Sequence, residues 1–262
     1  MLGTSTARAA YRILRADPVM AGLIAAAGRY QPEPLPDHPP FQSLARAIAH
    51  QQLHGVAAER ILARFVASCG TAGAFPLPQQ VLEASDARLR ATGFSFAKIA
   101  ALKDLAAKSL SGVVPARAEL DALADIEIIE RITAVRGIGR WTVEMMLMFQ
   151  LQRPDVLPVD DFGVRNGFRL AYRLSGMPRP RALAQFGERW KPYRSLAAWY
   201  LWRACDLARV KRLPRAAARP PRIALAPVVT RAKKKIPRQR VRKAKAPKRP
   251  SRFRSPSPRS VL

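Results

Sequence analysis

After Asp206 this chain of 262 residues has no acidic side chain at all. Cysteine is nearly absent as well: Cys69 and Cys205 stand far apart and in no CxxC spacing. That count excludes a disulfide framework, a zinc ribbon and a four-cysteine iron–sulfur cluster, each of which needs more sulfur ligands. Isolated cysteines of this kind are expected in the core of a protein from a reducing, intracellular compartment. His50 and His54 flank one loop, but two histidines without a third ligand do not make a metal site. No run of about 18 apolar residues exists, so no membrane-spanning helix is expected. The first residues, MLGTSTARAAYR, lack the apolar stretch of a secretory signal. Neither alternating apolar and polar residues nor a repeat of fixed period is found, which argues against a sheet and against a solenoid.

What the chain has in excess is positive charge: 46 Lys and Arg against 18 Asp and Glu, a formal net charge of +28. The first 210 residues hold 27 of the basic residues and all 18 acidic ones, leaving +9 there and +19 on the last 52. Those last residues contain one aromatic, Phe253, and nine prolines. The composition predicts a folded domain over residues 1–210 and a disordered Lys/Arg/Pro/Ala-rich tail over 211–262. A polyanion is the partner that suits this charge, nucleic acid first, with the tail adding sequence-independent affinity by counterion release.

Within the first 210 residues the apolar spacing is helical throughout, and the fold class is all-α. Helices are predicted over Ala7–Leu14, Val19–Ala27, Phe41–His50, Val56–Val66, a short stretch from Ser85, Ser95–Leu110, Asp125–Val135, Trp141–Leu151, Phe162–Leu174 and Ser195–Val210. The proline-rich QPEPLPDHPP (31–40) reads as an extended connector, and CGTAGAFPLPQQ (69–80) as another loop. The most informative stretch is IIERITAVRGIGRWTVEMMLM, residues 128–148. A helix ends near Val135, Gly137-Ile138-Gly139 turns, and a second helix starts at about Arg140. Two glycines let the backbone come close to whatever lies outside, and Ile138 can anchor the turn from within. The unpaired N–H groups of the new helix, beside Arg136 and Arg140, suit a phosphate.

VRGIGRWT (135–142), followed about twenty residues on by LPVDD (157–161), resembles the helix-hairpin-helix DNA glycosylase superfamily. The closest likeness within it is to the 3-methyladenine DNA glycosylase II branch, which removes alkylated purines. AIAHQQLHGVAAERI resembles the segment that fills the gap left by an extruded base. GFSFAKIAALKDLA resembles the helix before the hairpin, and RWKPYRSLAAWYLWR the C-terminal core motif. The resemblance spans roughly Ala7 to Arg209 and implies a two-lobed helical fold. It also implies a monofunctional glycosylase acting on damaged double-stranded DNA in base excision repair, monomeric, cytoplasmic and associated with the nucleoid. No cofactor is implied, although the superfamily allows a monovalent cation at the hairpin.

Breaking a glycosidic bond places positive charge on the sugar, so a carboxylate is needed beside a pocket that receives the flipped base. The resemblance puts the catalytic aspartate on Asp161 by the DDFG spacing; counting back from Arg165 would put it on Asp160. The other of the two is left to capping or positioning of the helix from Phe162. Trp141 stands where bifunctional relatives hold a lysine, and an indole cannot form a Schiff base. Trp141, Trp202 and Met145 are expected to wall the base pocket; Met145 departs from the tyrosine of the best-known relative. Gly137, Gly139, Arg140 and Thr142 are expected to hold the DNA backbone, and Gln51, Gln52 and Leu53 to supply the wedge. Two alternatives remain at this level: a glycosylase for another damaged purine, and a non-catalytic DNA-binding protein.

Overall fold

In the computed structural model the described residues are 4–31, 36–214 and 222–225; the rest of the expected tail lies outside them. They form helices α1 Thr4–Arg15, α2 Pro18–Ala27, α3 Pro40–His50, α4 Gly55–Cys69, α5 Pro78–Glu83, α6 Asp86–Ala91 and α7 Phe96–Leu110. There follow α8 Arg117–Ala122, α9 Asp125–Thr133, α10 Arg140–Met145, α11 Phe162–Ala171, α12 Pro180–Gly187 and α13 Arg194–Arg209. A π-helical turn, Met146–Gln150, extends α10, and a 3₁₀ turn, Glu188–Trp190, follows α12.

The ends of helices were legible where capping chemistry marks them. Asp17 caps α2, accepting from the N–H groups of Val19 and Met20, with Pro18 at the first helical position. Ser85 and Ser95 cap α6 and α7 in the same way. Three short helices were missed: α5, which starts at the end of the stretch 69–80 and runs past it, and α8 and α12. Two of these begin with proline, which reads as a breaker but is well placed at the first position of a helix. The expected helix 141–151 is part α and part π.

Helices from the two ends of the chain pack together: α2 and α11 both lie against α13, and α1 against α2. The middle of the chain packs on α7, which touches α3, α5 and α6. This is the two-lobed arrangement expected. Its core is apolar and continuous, with Phe65, Phe94, Phe168, Trp190 and Tyr200 buried. The close approach of α11 to α13 has a specific cause. A Cβ on Gly167 would lie 1.8 Å from the carbonyl oxygen of Leu201, so only glycine allows the two backbones to meet there. Among the described residues no helix is long and apolar enough to cross a membrane.

The packed chain continues past residue 210. Leu225 forms an isolated antiparallel bridge with Pro178, and Arg179 N–H donates to the Ala224 carbonyl at 2.9 Å. Ile223 and Leu225 rest against the core, so these residues of the range assigned to the tail belong with the domain.

The two ends of the chain are also joined by a buried polar contact. The Tyr172 hydroxyl, at the end of α11, donates to the Asp17 carboxylate. Burial and the neighbouring carboxylate push the Tyr172 phenol well above its usual range, so it remains a donor. Asp17→Ala removes both the cap of α2 and the partner of a buried hydroxyl. It is expected to cost about 2–4 kcal/mol in urea unfolding, against about 1 kcal/mol for Tyr172→Phe.

Candidate active site and DNA interface

Asp161 is the N-cap of α11: its Oδ1 accepts from the Val164 N–H at 2.7 Å. The same oxygen accepts from the Trp202 indole N–H of α13 at 2.8 Å, and Oδ2 accepts from the Trp141 indole of α10 at 2.8 Å. Three N–H donors from three helices therefore fix one carboxylate in place. Asp160 is exposed and does not cap the helix. The expected division of labour is corrected: capping and the oriented carboxylate fall on the same residue, Asp161, because Oδ1 accepts from both the Val164 N–H and the Trp202 indole while Oδ2 accepts from the Trp141 indole.

A glycine makes the second indole contact sterically permissible. A Cβ on Gly163 would stand 2.7 Å from Cδ1 and 2.9 Å from Nε1 of Trp202. Glycine at 163 and 167, one turn apart, thus lets α13 approach until Trp202 reaches the carboxylate. The WKPYRS segment holds the loop before Asp161 from behind. Arg194 Nε and Nη2 bond Asp155 at 2.7 and 3.0 Å. The Ser195 hydroxyl donates to the Arg153 carbonyl at 2.6 Å and accepts from the Val156 N–H at 2.9 Å. These two were in the quoted motif but carried no role until the structure placed them.

A cavity of about 610 Å³ opens between α3 and the α10/π segment; Asp161 is not among its lining residues and is joined to it through Trp141, which lines the cavity and bonds the carboxylate. Trp141, Met145, Met146 and Phe149 form its apolar wall; Gln51, Gln52, Thr142 and His50 also line it. The π-helical turn carries Phe149 and Gln150 to this wall, as π segments commonly do at functional sites. Trp202 is placed differently from expectation. It does not line this cavity but stacks behind Phe149, ring centroids 5.8 Å apart. Its indole N–H serves Asp161 instead. Thr142, expected at the DNA backbone, lines the cavity. His50 is held by Glu59, its Nε2 2.9 Å from Oε1, and Arg46 donates to the same carboxylate. These bonds outweigh burial and hold the Glu59 carboxyl below its usual range.

The hairpin has the expected shape. Gly137 adopts a positive φ of 77°, a conformation that glycine takes without strain. Ile138 is buried, and open space lies where a Cβ of Gly139 would be. Arg140 is exposed and pairs with Glu144 at 2.8 Å; Glu144 is only 4% exposed. Burial pushes the Glu144 carboxyl up, Asp160 and Asp161 add to this, and Arg140 opposes it. Gln51 does not point to solvent: its Nε2 donates to the Gly137 carbonyl at 2.9 Å. Gln52 and Leu53, both exposed, are the free end of the loop.

Residues 45–192 match the HhH-GPD superfamily of base excision DNA repair proteins. The chain belongs to that family. It is 40% identical over 206 residues to DNA-3-methyladenine glycosylase 1 of Schizosaccharomyces pombe, covering 78% of this chain and 90% of the relative. The solved structure of S. pombe 3-methyladenine DNA glycosylase in complex with abasic DNA superposes with a TM-score of 0.67, over 76% of this chain and 98% of that one. A Bacillus halodurans DNA-3-methyladenine glycosidase, 36% identical, superposes with a TM-score of 0.69 over 76% and 90%.

The steric role of Gly163 is open to a direct check. In Gly163→Ala the indole of Trp202 must leave Oδ1, so the Trp202 indole N–H resonance is expected to shift in ¹H–¹⁵N spectra. The unfolding midpoint should stay within a few degrees, because alanine is the better helix former by about 1 kcal/mol.

Proposed function

We propose that this protein is a monofunctional DNA glycosylase that hydrolyses the N-glycosidic bond of alkylated purines of the 3-methyladenine type. The observation that carries the reading is the Asp161 carboxylate, fixed by three N–H donors, one of them the Trp141 indole that also walls a cavity with a phenyl ring and two thioethers. A volume of about 610 Å³ falls within the range of small-molecule pockets. The names of the relatives support the same substrate class.

The reaction needs little from the protein beyond charge and shape. Alkylation makes the purine cationic, and electron-rich aromatic faces and polarisable sulfur favour such a ring. As the bond from C1′ to the base breaks, its electron pair leaves with the base, which departs neutral. Positive charge grows on the sugar, and the Asp161 carboxylate stabilises it electrostatically. Water then adds at C1′ and loses a proton, leaving an abasic site. Trp141 offers no amine to form a Schiff base, so strand cleavage does not follow. The hairpin glycines and Arg140 hold the backbone phosphate, and Gln52 and Leu53 enter the stack. The active species is a monomer on damaged double-stranded DNA.

Asp161→Asn is expected to bind methylated duplex but to release 3-methyladenine at least about 10²-fold more slowly than the parent. Asp160→Asn should retain most activity; the reverse pattern in single-turnover release would move the catalytic role to Asp160. The 14 basic residues beyond Pro227 have no acidic residue among them in the sequence and supply affinity, not chemistry. Deleting residues 228–262 is expected to weaken DNA binding and flatten its dependence on salt, while release at saturating DNA persists.

A further inference from the structure

One helix, α7, touches both of the features that face DNA. Near its start, Lys98 Nζ donates to the carbonyls of Ala49 at 2.7 Å and Gln51 at 2.9 Å. These carbonyls belong to the C-terminal end of α3, where acceptors lack helical partners and where a cation is favoured. Six residues on, about 9 Å along the axis, Asp104 Oδ2 accepts from the Arg136 N–H at 2.6 Å. Lys108, paired with Asp104, donates to the Ala134 carbonyl at 2.6 Å. Burial of Asp104 is outweighed by these bonds, which hold its carboxyl below the usual range. Arg136 and Ala134 are the approach to the hairpin. On the opposite side, Gln51 Nε2 closes the circuit onto Gly137.

The loop tip projects from this bracket. Gln52 has φ of 56°, in the left-handed region that side chains other than glycine rarely adopt, and a local cost of about 1 kcal/mol or more must be held by its surroundings. Leu53 beyond it is 41% exposed. Lys98 grips the carbonyl of Gln51, the residue immediately before the strained one. A tip that is to open a base stack must not yield when pushed, and the thrust must be carried to the hairpin that grips the backbone.

We infer that Lys98 is a positioning residue for base extrusion: it locks the Gln52-Leu53 tip to α7, and α7, through Asp104 and Lys108, sets the tip at a fixed distance from the hairpin. The inference rests on reading residues 51–53 as the stack-filling tip of a glycosylase. Lys98 itself touches neither base nor sugar.

The test uses two duplexes, one with the alkylated base paired and one with it opposite an abasic site, where extrusion costs least. In single-turnover release, Lys98→Met is expected to lose about tenfold or more on the paired lesion and less than about threefold on the unpaired one. Gln51→Ala, which cuts the other side of the circuit, should show the same split in weaker form. Lys98→Arg keeps the charge but sets a planar fork where one ammonium bridges two carbonyls; it carries the same test should Lys98→Met fail to fold. Equal losses on both duplexes, or none on either, overturn the inference. So does a loss of affinity on both with a salt slope reduced by about one, the sign of a direct phosphate contact. Asp161→Asn should be inactive on both duplexes; if the unaltered protein releases base from neither, it is the glycosylase reading that fails.

Discussion

The closeness of α11 and α13 is the constraint on which the site depends. At Gly167 the Leu201 carbonyl occupies the space of a side chain, and at Gly163 the Trp202 indole does so. Glycine inside a helix costs about 1 kcal/mol relative to alanine. Here it brings an indole N–H of one helix to a carboxylate capping the other. With any larger residue at 167 the helices would part, Trp202 would withdraw, and Asp161 would keep one indole donor in place of two.

A carboxylate held this way serves two purposes with one set of atoms. Capping ties it to α11, and the indoles tie it to α13 and α10, so it sits where three helices meet. Its loop is pinned in turn by Arg194 and Ser195, which explains why the segment ERWKPYRS lies so far along the chain from the aspartate it supports. The charge is held in place by these bonds, as the electrostatic role proposed for it requires.

The glycine-flanked hairpin was legible because positive φ and close approach leave few residue types to choose from. Asp161 and Trp141 were reached through the family resemblance, by the DDFG spacing and by the place that a lysine holds in bifunctional relatives. Trp202 was found, but its position in a helix cannot say that its ring stacks on Phe149 while its N–H reaches Asp161. Helices α5, α8 and α12 were overlooked since six to eight residues hold too few turns to show a period. Lys98 and Asp104 gave no signal, because a charged residue on an amphipathic helix looks like any solvated one until its partner, 30 or more residues away, is known.

The sequence by itself determined the helical class, the hairpin, the paired aspartates and the concentration of positive charge after residue 210, since each follows from local spacing or composition. Tertiary structure alone decided which aspartate is oriented, where Trp202 turns, and that residues 222–225 lie against the domain. It also tied α7 both to the loop at Gln51 and to the approach to the hairpin. These depend on hydrogen bonds between residues far apart in the chain, and such bonds carry geometry that no local pattern encodes.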